Sequence, residues 1–193
     1  MGTEIEAKLK VDSLQIVVER LARLGAEFLQ EQLQKDYYFD DANRAFTKAD
    51  RCLRLRQQFA DDQEKVFLTY KGAKERDNFK KRQEVEIEVK DFDSAGKLLS
   101  ALGLKQVSIV EKKRRIWRLG DCKVCLDELP LLGNFVEIEG PDAENIADVQ
   151  SRLGLAHLPH IGQSYAFLMQ AKLHQRQVCE ARFTRHEIRK NET

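Results

Sequence analysis

Charged side chains recur in this sequence at every second position of short apolar segments. Glu4-Ile5-Glu6-Ala7-Lys8-Leu9 opens the pattern. Glu84-Val85-Glu86-Ile87-Glu88-Val89 and Phe135-Val136-Glu137-Ile138-Glu139 repeat it. Leu53-Arg54-Leu55-Arg56 does the same with guanidinium groups, and Leu126-Asp127 adds a further acid. Carboxylates gathered in this way suit one or two hard divalent cations, which prefer oxygen ligands. Arginine forks suit phosphate oxygens. A site holding both follows the logic of metal-assisted chemistry on a triphosphate.

Such residues need strands to hold them. Side chains on a strand point alternately to two faces, so each of these segments has one charged and one apolar face. An ordinary half-exposed antiparallel sheet would also alternate. It accounts less well for polar faces made almost purely of full charges, since glutamate is disfavoured in strands and neighbouring glutamates repel. The consistent solution is an α+β fold built on a closed eight-stranded antiparallel barrel. Its charged face would line a water-filled tunnel and its apolar face would be covered by helices. About eight strands give a lumen wide enough for one small ligand.

Three of the strands are followed by the same grammar: an Asp suited to a helix N-cap, helical spacing of Leu, Ile and Val, and a closing Gly. The helical stretches start from Asp12, Asp93 and Asp142 and end at Gly25, Gly103 and Gly154. Further strands are expected at 36–40, 52–56, 65–71, 112–117 and 123–127, and a fourth helix at 164–173. Residues 73–81 read as a mobile loop. The domain is expected to span residues 1–173, with 174–193 a charged tail or helix extension.

Composition bounds the function. The chain has 193 residues and a formal net charge of +1, from 33 Lys and Arg against 32 Asp and Glu. That balance lacks the basic excess of a nucleic-acid binder. No apolar run approaches the ~20 residues of a spanning helix, and no signal peptide is evident, so a cytoplasmic protein without membrane partners is expected. Four cysteines in a chain this long do not make a disulfide scaffold. Cys122-x-x-Cys125 has no second CxxC, and strand positions three apart face opposite ways, so zinc is not expected. His157-x-x-His160 reads as a loop feature. No P-loop or Rossmann glycine pattern appears.

The blocks taken together resemble the CYTH superfamily, the triphosphate tunnel metalloenzymes. Glu4-x-Glu6-x-Lys8 is similar to its ExExK signature. Leu53-Arg54-Leu55-Arg56, Leu68-Thr69-Tyr70-Lys71-Gly72, Glu84-Val85-Glu86 and Lys112-x-Arg114-x-x-Trp117 follow in the family's order. Leu126-Asp127-Glu128 and Leu132-Gly133-x-Phe135-Val136-Glu137-Ile138-Glu139 look most like the class IV adenylyl cyclase (CyaB-like) branch. The resemblance implies Mg²⁺ or Mn²⁺ held by Glu4, Glu6, Asp127, Glu137 and Glu139. It implies a triphosphate bound by Lys8, Arg54, Arg56, Lys71, Lys112 and Arg114, with Glu4, Glu6, Lys8 and Glu137 at the catalytic centre. The 112/114 pair is preferred to 113/115 by its spacing to Trp117. Glu84, Glu86 and Glu88 would be inward structural partners, Glu86 foremost. The implied reaction is ATP to cyclic AMP and pyrophosphate. The alternatives are hydrolysis of thiamine triphosphate, tripolyphosphate or a nucleoside triphosphate, and non-catalytic binding of polyphosphate or nucleotide. A homodimer is compatible with the family.

Overall fold

The computed structural model describes residues 2–74 and 80–176. Eight strands form one antiparallel sheet: β1 (Gly2–Val11), β2 (Glu27–Asp40), β3 (Cys52–Ala60), β4 (Gln63–Lys71), β5 (Lys80–Val89), β6 (Lys105–Leu119), β7 (Cys122–Leu129) and β8 (Gly133–Gly140). Five helices accompany them: α1 (Leu14–Arg23), α2 (Ala45–Lys48), α3 (Phe92–Ala101), α4 (Ala143–Arg152) and α5 (Tyr165–Arg176). Each strand has two hydrogen-bonded neighbours in the order β1-β5-β4-β3-β2-β6-β7-β8, and β8 pairs back to β1.

The alternating pattern dictates which side each residue faces. Ala7, Leu9, Val124, Leu126, Val136 and Ile138 point outward and are buried under α1 and α4, where Leu14, Val17, Leu21, Ile146, Val149 and, just past the end of α4, Leu153 join the same cluster. A second outer cluster packs Leu99 and Phe92 of α3 on Leu55, Val66 and Leu53. The inner face is charged along most of its length. Toward one end it turns apolar: Val110, Leu129 and Phe135 share the parity of Lys112, Asp127 and Glu137 on their strands, and Tyr165 and Met169 of α5 pack against them. Ring pairing and outer helices therefore leave one polar interior with an apolar layer beneath α5. Among the described residues, no helix is long and apolar enough to cross a membrane.

The helix ends follow local chemistry. Gly25, Gly103 and Gly154 close α1, α3 and α4 at φ of 70°, 81° and 65°, the left-handed region that the expected C-terminal glycines supply. Asp142 caps α4 as expected, accepting from the Asn145 amide at 2.8 Å. Two expected starts shift. α1 is preceded by Ser13 rather than Asp12, and the cap of α3 is Asp91 rather than Asp93, accepting from the Ser94 amide at 2.6 Å. Periodicity places a helix body well but is blind to a shift of one or two residues at its start.

Other expectations also need correction. β2 runs from Glu27, far longer than the strand expected at 36–40, and β6 covers 105–119 rather than 112–117. The two pair along their length. Glutamines at 30, 32 and 34 hid this, because a strand whose inward side is neutral and polar shows little alternation. β5 starts at Lys80, so the last two residues of the expected 73–81 loop are strand. Of that loop, 75–79 lie outside the described residues, as do 177–193 of the expected tail. The short α2 had no periodic signal. It is held instead by Asp40, whose carboxylate accepts from the Phe46 and Thr47 amides at 2.9 and 3.0 Å and from the Thr47 hydroxyl at 2.6 Å.

The α4–β8 contact leaves no spare room. A Cβ on Gly140 would sit 2.8 Å from Cys122 Sγ and 2.9 Å from Ile146 Cγ1. Gly140→Ala is expected to destabilise the fold by about 1–3 kcal/mol, the usual range for overpacking, as read by urea unfolding.

Candidate active site

The antiparallel register sets opposite charges across from one another. Lys8 of β1 lies opposite Glu137 of β8, Arg114 of β6 opposite Asp127 of β7, Arg56 of β3 opposite Asp36 of β2, and Lys71 of β4 opposite Glu84 of β5. These side chains, apart from the more deeply buried Asp127, line one cavity of about 170 Å³. The same cavity is lined by Glu6, Arg54, Arg82, Glu86, Lys112, Lys123 and Glu139. Lys112 and Arg114 therefore face inward, and Lys113 and Arg115 take the other face.

Three carboxylates converge on β1 and β8. Glu6, Glu137 and Glu139 each offer an oxygen within 4.8 Å of the others. Glu6 and Glu139 are register partners, and Glu137 is two residues along the same face. Three hard oxygen donors fit Mg²⁺ or Mn²⁺ and fit softer metals poorly. Glu4 occupies β1 opposite Arg82, and its side chain lies outside the described residues.

Asp127 has a different environment. It is fully buried, and its oxygens accept from Arg114 Nε and Nη2, both at 2.6 Å, from Lys112 Nζ at 3.1 Å and from the Tyr165 hydroxyl at 2.9 Å. Burial pushes its carboxyl up, but Arg114 and Lys112 outweigh that and hold it below the usual range. Arg114 also donates to Glu137, which pairs with Lys8 at 3.2 Å. Burial, then the neighbouring Arg114, push the Lys112 ammonium down to about 8 against the pull of Asp127 and Glu137.

A second charged group sits on β2–β5. Asp36 receives Arg56 through two bonds, Nε at 2.6 Å and Nη2 at 2.8 Å, and Arg54 approaches at 3.8 Å. Arg54 also donates to Thr69 at 3.1 Å and to Glu86 at 3.3 Å. Lys71 pairs with Glu84 at 2.7 Å. Arg82 is 5% exposed, it approaches Asp50 at 3.9 Å, and among the described residues its Nε has no hydrogen-bond partner.

The interior thus brings together Glu6, Lys8, Arg54, Arg56, Lys71, Lys112, Arg114, Asp127, Glu137 and Glu139. It adds Asp36, Arg82, Lys123 and Tyr165, which sequence reasoning missed. Arg82 had a signal, because it extends the charged face of β5 by two residues from Glu84; Asp36 had only its parity within the 36–40 strand. Tyr165 had none. Cys122 sits in the outer core and Cys125 on the inner face, so the CxxC pair cannot share an ion. His160 meets the Gln150 side chain at 2.9 Å, in keeping with a loop role.

Adjoining this cavity is a second one of about 360 Å³, lined from α2, β2, β3, β6 and the start of α5. Tyr38, Cys52, Arg82 and Ser164 line both. Phe46, Leu53 and Phe167 give the second one an apolar wall.

Comparisons with known proteins agree with this architecture. The family model described as the CYTH domain matches residues 2–152. MJ0240 of Methanocaldococcus jannaschii, named as a candidate adenylate cyclase, is 34% identical over 149 residues, 77% of this chain and 81% of the relative. The adenylate cyclase CyaB of Aeromonas hydrophila is 26% identical over 180 residues, covering 88% of this chain and 90% of its own. Among solved structures, the PH1819 protein of Pyrococcus horikoshii superposes with a TM-score of 0.77 at 30% identity, over 87% of this chain and 99% of that one.

The Asp36–Arg56 pair yields a pH test. Burial raises the Asp36 carboxyl, yet Arg56 and Arg54 hold it far below the usual carboxylate range. A carboxyl lowered by folding stabilises fully above its unfolded value and loses that contribution as pH falls toward the folded one. Asp36→Asn strands a buried guanidinium and is expected to cost about 3–5 kcal/mol at neutral pH. Denaturant unfolding of both proteins should show the difference shrinking as pH falls below ~4.

Proposed function

This chain belongs to the CYTH domain family, and from that premise we propose that it is a divalent-metal-dependent enzyme acting on a triphosphate, of the class IV adenylyl cyclase type. The observation that carries the reading is the carboxylate trio Glu6, Glu137 and Glu139 in one cavity with Lys8, Arg54, Arg56, Lys71, Lys112 and Arg114. An anionic metal site alone would repel a polyphosphate, and a basic cavity alone would not hold a cation. Together they suit a metal–triphosphate complex in a charged tunnel.

Each residue then has a role. Glu6, Glu137 and Glu139 would hold Mg²⁺ or Mn²⁺, with Glu4 and Asp127 the further carboxylates that membership of the family suggests as ligands. The bound ion would neutralise charge developing on the phosphate oxygens and favour ionisation of the attacking hydroxyl. Arg54 and Arg56 offer forks to the phosphate chain, and Lys8, Lys71, Lys112 and Arg114 offer further donors. In cyclisation the ribose 3′-hydroxyl would lose its proton to solvent water and its oxygen would bond to the α-phosphorus. The bond from that phosphorus to the bridging oxygen breaks, and pyrophosphate leaves. These cations would hold the departing pyrophosphate in line and stabilise its charge.

The neighbouring cavity favours an organic triphosphate over inorganic tripolyphosphate. Its ~360 Å³ and apolar wall of Phe46, Leu53 and Phe167 are within the range of small-molecule sites. The name CyaB of the Aeromonas relative points to the same reaction. Water attacking the terminal phosphorus in the same cradle would give a triphosphatase.

Incubation of the protein with ATP and either Mg²⁺ or Mn²⁺ should yield cyclic AMP and pyrophosphate in equal amounts. Orthophosphate without cyclic AMP would instead establish hydrolysis, and binding without turnover a non-catalytic protein. Glu137→Ala is expected to lower turnover by at least ~100-fold, the order seen when a group stabilising transition-state charge is lost. Excess chelator should abolish the wild-type reaction.

A further inference from the structure

α5 begins at Tyr165, beyond the residues 2–152 that the family model matches. The chain leading into it is fastened to β1 at one residue, twice. The Ile161 amide donates to the Lys8 carbonyl at 2.8 Å, and Lys8 Nζ donates to the Gln163 carbonyl at 3.2 Å. Tyr165 then turns into the interior, where it is 5% exposed. Its hydroxyl donates to Asp127 at 2.9 Å, and Phe135 meets its ring edge-on at 5.2 Å between centroids. The ring lies 3.9 Å from Lys8 Nζ and 4.8 Å from Lys112 Nζ.

Two ammonium groups from different strands therefore share one aromatic ring. A lysine ammonium rides on a flexible four-carbon stem, and immobilising it opposes binding. Each head already has its own carboxylate partner, Lys8 with Glu137 at 3.2 Å and Lys112 with Asp127 at 3.1 Å, so what the ring adds is a neutral surface common to both. The face of a ring attracts a cation through its quadrupole and carries no net charge, so it neither competes for the acids and carbonyl these ammonium groups donate to nor repels a phosphate chain. We propose that Tyr165 is a positioning residue for the polyanion site: its ring holds the Lys8 and Lys112 ammonium groups together, so that one phosphate chain meets both. The hydroxyl is secondary, because Asp127 keeps its bonds to Arg114 and Lys112 without it. The proposal rests on the reading of Lys8 and Lys112 as triphosphate ligands.

The test is calorimetric titration of the full chain with inorganic tripolyphosphate and Mg²⁺, which leaves the organic subsite out. Tyr165→Phe should bind like wild type. Tyr165→Leu should bind roughly tenfold more weakly, the scale of one or two desolvated cation–π contacts. With ATP, the Leu variant should raise KM by the same factor and leave kcat nearly unchanged. Phenylalanine analogues with one, two and three ring fluorines at position 165 keep the shape and withdraw the negative face. Affinity should fall stepwise along that series, which decides the matter even if Tyr165→Leu fails to fold. Unchanged binding in Tyr165→Leu, equal losses in Phe and Leu variants, or a flat fluorine series would each overturn the proposal. If Lys8→Ala binds tripolyphosphate as well as wild type, the underlying reading of the site fails, and this inference fails with it.

Discussion

The structure depends on one electrostatic constraint: charges buried inside a ring of strands must be paired. Lys8, Arg56, Arg114 and Lys112 are each at most 8% exposed, and so are Glu6, Asp36, Asp127 and Glu137. A buried ion left alone would cost several kcal/mol. Antiparallel register resolves this by setting Arg114 across from Asp127, Arg56 across from Asp36 and Lys8 across from Glu137. A slip of one residue would turn every one of these charges onto the helices and every core residue inward. Charge pairing and hydrophobic burial therefore select the same register from opposite faces of the sheet.

This pairing also makes the interior responsive. Buried ion pairs contribute little net stability, because desolvation offsets attraction. What they provide is preorganisation. The cations are already desolvated and oriented, so a polyanion entering the cavity would exchange one set of counter-charges for another, with little further loss of water. Arg56 and Arg114 are each held through two nitrogens on one carboxylate, which fixes the plane of each fork.

The apolar end of the interior serves the charged end. Val110, Leu129 and Phe135 lie on the same inward face as the charged residues, and α5 packs onto them with Tyr165 and Met169. That packing anchors Tyr165, which in turn reaches Asp127 and both lysines. A hydrophobic contact distant in sequence thus bears on the geometry of the polar site.

Much of the site was legible because strand alternation has a period of two and charge is conspicuous against Ile, Val and Leu. The parity of Glu6, Lys8, Arg54, Arg56, Asp127, Glu137 and Glu139 could be read directly, and parity decides which residues can share an interior. Strand extent was less legible. The glutamines of β2 offered no contrast, and the loop expected at 73–81 hid the start of β5. Parity also cannot say which inward residues meet. That Glu6, Glu137 and Glu139 converge while Asp127 is surrounded by Arg114, Lys112 and Tyr165 depends on strand order and stagger, which are non-local pairings. The sequence by itself determined the two faces of each strand and the chemistry available between them. Only the tertiary structure decided the partners, because residues as far apart as Lys8, Asp127 and Tyr165 become neighbours only once the last strand pairs with the first and α5 folds over the end.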